Sequence, residues 1–263
     1  MKRLASALKH SLFIVILCLA ALQSSCEKID EIVSDSELGT IIDYEGNKYN
    51  TIQLGDQWWM VSNLKTTHYA DGMEISLVES NSDWENLGFD EKAYCYYNNS
   101  ENNEARIYGA LYTWAAAMNG TTSSYSNPSE VQGVCPDGWH LPSDEEWKEL
   151  ELFLGMSQDT VDIIGLRGTD KGSMLASSPD GWVDGYLDSN PVFGSSGFNA
   201  KPGGGRRYDG TFGHKGDNAN FWTATEYSNI RAWGRHIYSS YSSVHRYMNA
   251  KSDGFSVRCI KDN

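Results

Sequence analysis

The sequence predicts an α+β fold of small antiparallel sheets, two flanking helices and long glycine-rich loops. Three observations predict it. Short strand-like runs bounded by turn residues stand at both ends of the body, over 40–61 and 220–260. Two helical patterns lie between them, at 110–118 and 142–155. The stretch 156–219 then holds much of the chain's glycine, which favours tight turns over regular sheet.

The first 25 residues read as an address. Lys2, Arg3 and Lys9 make a positive start, and Leu12 to Leu22 is almost wholly apolar. That run is too short to span a bilayer core, which takes about 20 residues, and it fits the apolar region of an export signal. Ser24 and Ser25 stand directly before Cys26, as small residues do in bacterial lipoprotein signals, although Gln23 occupies the place where an aliphatic residue is usual. The expectation is cleavage before Cys26, followed by thioether lipidation and N-acylation (palmitate) at that residue. Several acyl chains hold a protein at a membrane where a single chain is marginal. Residues 26–38 are acidic and polar, with Glu27, Asp30, Glu31, Asp35 and Glu37, and read as a tether. An acidic stretch after the lipid cysteine resembles the surface-export signal of some Gram-negative lipoproteins. The expected location is the outer membrane, lipid-anchored and facing the cell surface, with outer-membrane lipid as the partner of Cys26. Ordinary secretion with a chance cysteine is the alternative.

Residues 39–263 read as one domain. Thr40–Tyr44, Lys48–Leu54 and Gln57–Val61 form a meander with turns at Gly46-Asn47 and Gly55-Asp56. Residues 63–107 read mostly as loop, with a strand at Ala93–Tyr97 and a solvated run at Asn98–Glu104. In 110–118, Leu111, Trp114 and Ala115 share a helical face, and Asn119-Gly120 stops the helix. The strongest helix signal is Pro142 to Gly155. Ser143 caps it and Glu146 completes a capping box, while Asp144 and Glu145 suit the positive helix end. Trp147, Leu150 and Leu154 recur at helical spacing as a core face. Strands follow at 220–225, 231–238, 244–248 and 254–260. The last alternates Phe255, Val257 and Cys259 against Ser256, Arg258 and Ile260, with one face buried. Gly203–Gly205 reads as a tight surface turn, since it lacks the Lys and Ser/Thr of a phosphate loop.

Charge narrows the partners. The chain has 21 basic and 35 acidic side chains in 263 residues, a net charge of −14. Nucleic acid is excluded as a partner, because its phosphates need a basic stripe. The same charge disfavours anionic lipid as a ligand of the folded body.

Several separated motifs now stand together. They are Gln57-Trp58-Trp59-Met60 with Asn63-Leu64, Tyr108 to Trp114 (YGALYTW), and Val134 to Trp147 (VCPDGWHLPSDEEW). They continue with Gly197-Phe198-Asn199-Ala200, Gly203 to Arg206, Phe221 to Thr225 (FWTAT) and Gly254 to Cys259 (GFSVRC). Jointly they resemble the Fibrobacter succinogenes major paralogous domain family over roughly residues 39–262. That family brings no established general activity. More distantly, the capped helix after Leu-Pro-Ser, the glycine-rich middle and the closing Gly-Phe-x-Val-Arg-Cys resemble the C-type lectin-like fold and its formylglycine-generating, sulfatase-modifying relatives. This second resemblance implies that the termini pair in one small sheet and that the long loop region carries a ligand site.

Candidate sites follow. With Cys26 assigned to lipid, an exported protein can pair its remaining thiols. Cys135–Cys259 is the expected disulfide, with Cys95 buried and reduced, and Cys95–Cys135 is the alternative. No CxxC or HExxH occurs. His140, beside a helix start, reads as a structural hydrogen-bonder. Asp209, Asp217, Asn218 and Asn220 offer hard oxygen ligands for a candidate Ca2+ site, where the lectin-like resemblance implies one. Trp182, Tyr186, Tyr208, Trp233, Tyr238 and Tyr241 are candidate ligand-binding rings, able to stack on pyranose faces while Asp and Asn bind hydroxyls. The leading functional reading is a non-catalytic binding module of the cell envelope, with polysaccharide as its ligand. The alternatives are a structural or adhesion component that binds an envelope protein, and an enzyme related to the formylglycine-generating type.

Overall fold

The computed structural model describes residues 39–177 and 181–262. The expected export signal over 1–25, the lipidation at Cys26 and the tether over 26–38 lie outside the described residues.

The chain opens with the expected meander, β1 (Thr40–Ile42), β2 (Lys48–Leu54) and β3 (Gln57–Met60). Gly46 takes φ +81° in the first turn, a conformation glycine adopts without a Cβ penalty. Then come β4 (Ser76–Leu77), α1 (Asn81–Glu85), β5 (Ala93–Cys95), β6 (Leu111–Tyr112) and α2 (Trp114–Met118). The middle holds β7 (Trp139–His140), α3 (Asp144–Phe153), α4 (Gln158–Val161), β8 (Gly165–Arg167) and α5 (Lys171–Leu175). The last part holds β9 (Gly203–Arg206), β10 (Phe212–Lys215), β11 (Asn218–Ser228), β12 (Arg231–Tyr238), β13 (Val244–Ala250) and β14 (Ile260–Lys261). The architecture is sheet-rich α+β.

Three sheets form. One runs β1-β2-β3-β14-β7, so the last strand sits beside the meander. The second runs β10-β9-β11-β12-β13-β8, and the third β4-β5-β6. The sheets are not purely antiparallel as expected, because β9 pairs with β11, and β4 with β5, in parallel.

The main helix forms as its local chemistry dictates. The Ser143 hydroxyl accepts from the Glu146 amide at 3.2 Å, and the Glu146 carboxylate accepts from the Ser143 amide at 2.8 Å. Trp147 and Leu150 face the core, where Trp147 meets Trp59 with ring centroids 4.9 Å apart. His140 is held between Glu146 and Asp262, at 2.6 Å to each. Burial opposes its protonation, but the two carboxylates outweigh burial and hold its pKa above the ordinary imidazole value.

Four expectations are corrected. The 110–118 helix is cut short: Leu111 and Tyr112 form a strand, the Tyr112 amide donates to the Phe255 carbonyl, and Thr113 caps the helix by accepting from the Ala116 amide. The loop over 63–107 contains α1, capped by Ser80 and anchored by the buried Trp84. Gly203–Gly205 is a buried strand rather than a surface turn. A Cβ on Gly204, whose φ is +65°, would collide with the Gly213 carbonyl, so glycine is what lets these backbones meet. Residues 254–260 are buried on both faces, because they thread between elements instead of lying on a sheet surface. Arg258 there donates to the Met60, Phe198 and Asn199 carbonyls and to Asn63 Oδ1.

Cys135 and Cys259 form a disulfide with Cα atoms 5.9 Å apart, linking the segment before β7 to the segment before β14. Cys95 is free and buried, and burial pushes its thiol up to about 12. Among the described residues no helix is long and apolar enough to cross a membrane.

Candidate functional site

Period-two alternation gives β12 two different faces. Arg235 and Ile237 turn toward α3. There Asp144, at the helix start, accepts from Arg235 Nη1 and Arg246 Nη2 at 2.6 Å each. Glu151, two turns on, accepts from Arg235 Nε at 2.9 Å and from Arg167. Gly234, His236 and Tyr238 turn the other way, and His236 and Tyr238 line a cleft of about 390 Å3 on the front of the second sheet. A Cβ on Gly234 would come within 2.8 Å of Asn249 Nδ2 and 3.1 Å of His236 Nε2, so glycine leaves room for the contact between them.

The buried lining includes His236, Asn220 and Phe255 beside Arg206. Asn220 Nδ2 donates to the Gly204 carbonyl at 2.9 Å, which aims its Oδ1 at His236 Nδ1, 2.8 Å away. Nδ1 therefore carries the proton, and Nε2 accepts from Asn249 Nδ2 at 3.0 Å. Burial, with the neighbouring His245 and Arg235, lowers the His236 pKa to about 3, so this imidazole is neutral across ordinary pH. Tyr238, pushed up to about 12 by burial and Tyr247, shares a hydrogen bond of 2.8 Å between its hydroxyl and His245 Nδ1.

The exposed lining is different. Tyr208 and Tyr247 present half-open rings, and Arg207 and Arg231 are solvent-facing. Asp253 is the sole carboxylate among the lining residues, and its Oδ1 accepts from the Tyr208 amide at 2.9 Å. Burial raises its pKa to about 6. His214 also lines the cleft from a β10 position that has no partner in the β9 register, with φ +66°.

The residues singled out from sequence separate on this frame. Tyr208, Tyr238, Asn218 and Asn220 come together in the cleft. Tyr241 stands next to it, its ring 6.4 Å from that of Tyr238. Tyr186 is 76% exposed, outside the lining. Trp182 and Trp233 are buried: Trp182 Nε1 donates to Ser177 Oγ and the Ala200 carbonyl, and the Arg246 guanidinium covers the Trp233 ring at 3.8 Å. The proposed calcium ligands do not make one shell. Asp209 lies in the turn before β10 and is bonded by Thr211, whereas Asp217 lies after β10 and is bonded by Ser239. A four-residue strand separates them, roughly 13 Å at 3.3 Å per residue. Asn220 Oδ1 is already committed to His236. Among the described residues no three His, Cys, Asp or Glu side chains converge as metal ligands.

Sequence reasoning passed over Tyr247, His236, Asn249, Arg207, Arg231 and Asp253. A signal was present for some of them. His236 and Tyr238, like His245, Tyr247 and Asn249, recur at every second position of adjacent strands, which marks one polar-aromatic face.

The family model of the Fibrobacter succinogenes major domain matches residues 52–261, and the chain belongs to that family. No curated protein and no solved structure matches it.

Proposed function

We propose that this member of the Fibrobacter succinogenes major domain family is a cell-envelope lipoprotein whose cleft is a non-catalytic binding module for glycan. The observation that carries the reading is the lining: Tyr208, Tyr238 and Tyr247 border a polar recess that also holds Asn218 and Asn249. Aromatic rings stack on pyranose faces and amides bind hydroxyls, and the volume falls in the range of ligand sites. A neutral His236 with both nitrogens engaged supports positioning over proton transfer. Glycosidic cleavage uses a pair of carboxylates, and the lining carries Asp253 alone. The pairing of β14 with β3 supports a C-type lectin-like architecture for the scaffold. Attachment at the outer membrane through acylated Cys26, facing outward, rests on the Leu12–Leu22 run, Ser24-Ser25-Cys26 and the acidic residues after them.

The test is a glycan array probed with the full-length protein in detergent, with and without chelator, beside a Tyr238→Ala variant. Binding that the variant lowers about tenfold or more, at unchanged folding, is expected. Loss of signal on chelation assigns a calcium contribution. An array with no hits removes the glycan reading. Intact mass of the native protein reports whether residues 1–25 are absent and Cys26 is acylated.

A further inference from the structure

The cleft reverses the charge of the molecule around it. The chain carries a net −14, yet the lining holds Arg206, Arg207 and Arg231 against Asp253. Even with Asp209 on the neighbouring turn, the cations are in excess. Among the described residues the arginines that form ion pairs are Arg167, Arg235 and Arg246, all on the far side of the sheet or beneath α3. Arg207 and Arg231 are exposed and pair with no carboxylate among the described residues. Arg206 is fully buried, and its guanidinium is satisfied by oxygens without formal charge: the Gly210, Val78 and Glu79 carbonyls and Asn81 Oδ1. Trp84 and Phe212 flank it at 4.5 and 4.6 Å. Its charge therefore lies under the cleft without a carboxylate partner, where low dielectric extends its reach.

The cleft also has direction. Arg231 opens β12 and Tyr238 closes it, seven residues on, roughly 23 Å along the strand at 3.3 Å per residue. The bridge between Arg206 and Gly254 places Arg206, Arg207 and Asp253 near one another, and the pairing of Arg231 with Ala250 brings Arg231 to the same end. Tyr238 and Asn218, paired across β11 and β12, mark the opposite end. The planar guanidinium fork matches a carboxylate in two parallel hydrogen bonds.

We infer that the cleft selects an acidic oligosaccharide, one whose sugars carry carboxylate groups, with a carboxylate at the Arg207–Arg231 end and a sugar ring against Tyr238. This rests on the glycan reading and deepens it. The probes are oligogalacturonates and the same oligomers as methyl esters, which keep the skeleton and lose the charge. Titration calorimetry with the full-length protein is expected to show the acid form binding at least about tenfold tighter. Added salt is expected to weaken the acid form alone. An Arg207→Gln/Arg231→Gln double variant is expected to lower the acid-to-ester affinity ratio at least several-fold, with the buried Arg206 leaving a residual preference for the acid. Tyr238→Ala is expected to weaken both. Equal binding of acid and ester by the native protein, or array hits confined to neutral or sulfated chains, would overturn the carboxylate assignment and leave the glycan reading standing. Failure of every glycan removes both.

Discussion

The Asp144 carboxylate accepts from the Arg235 guanidinium at 2.6 Å, and both residues are almost fully buried. The pair joins the first residue of α3 to the middle of β12, directly behind His236 and the cleft. Arg246 shares the same carboxylate, and Glu151 takes Arg235 and Arg167, so two acids serve three buried guanidiniums.

Removing Asp144 leaves Arg235 and Arg246 short of charge. Asp144→Ala is expected to cost about 3–5 kcal/mol, the usual penalty for breaking a buried pair from one side, read as a shift in the urea midpoint at pH 7. Burial alone would raise the Asp144 pKa, but Arg235 and Arg246 outweigh it and hold the carboxyl well below the ordinary carboxylate range. A lowered folded-state pKa gives stability that is present above the unfolded value near 4 and lost as pH falls below it. The native protein is thus expected to lose stability steeply on acidification below about pH 4, and Asp144→Ala less so. Parallel slopes for the two proteins would refute the assignment.

The Cys135–Cys259 bridge closes a separation of 124 residues. On the loop-entropy account, a loop of that length contributes about 5 kcal/mol. Cys135→Ser, or reduction under native conditions, is expected to lower the melting temperature substantially. Cys95 is expected to stay silent toward thiol reagents until the protein unfolds, since its thiol is buried and protonated. Fast labelling of Cys95 in the native, oxidised protein would count against this packing.

Two of the candidate rings differ in what they support. Trp182 is buried with both acceptors of its indole N–H in the core, so Trp182→Ala is expected to cost about 3–5 kcal/mol. Tyr186 is 76% exposed, and Tyr186→Ala is expected to stay within about 0.5 kcal/mol. Thermal unfolding of the two variants side by side checks the contrast.

Where an element depends on neighbours close in sequence, it was legible. The Ser143–Glu146 capping box and the Trp147, Leu150, Leu154 stripe predict α3, and the helix forms there. The strand expected over 231–238 forms as β12 with those bounds. The 110–118 pattern misleads because Leu111 and Tyr112 answer to Phe255, far along the chain. The glycines at 203–205 look like a turn because their partner, β10, and the adjoining Phe255 are invisible to local patterning.

Sequence by itself determined the α+β class, the family, the main helix, the strand runs within 220–248 and the acidic character of the chain. Tertiary structure alone decided which rings are core and which line the cleft, that Asp209 and Asp217 lie apart, and that a basic recess opens on an acidic protein. The physical reason is that local structure follows from capping and periodicity within a few residues. A cleft is instead made by strands meeting across long separations, and the face each side chain takes is set only when those strands pair.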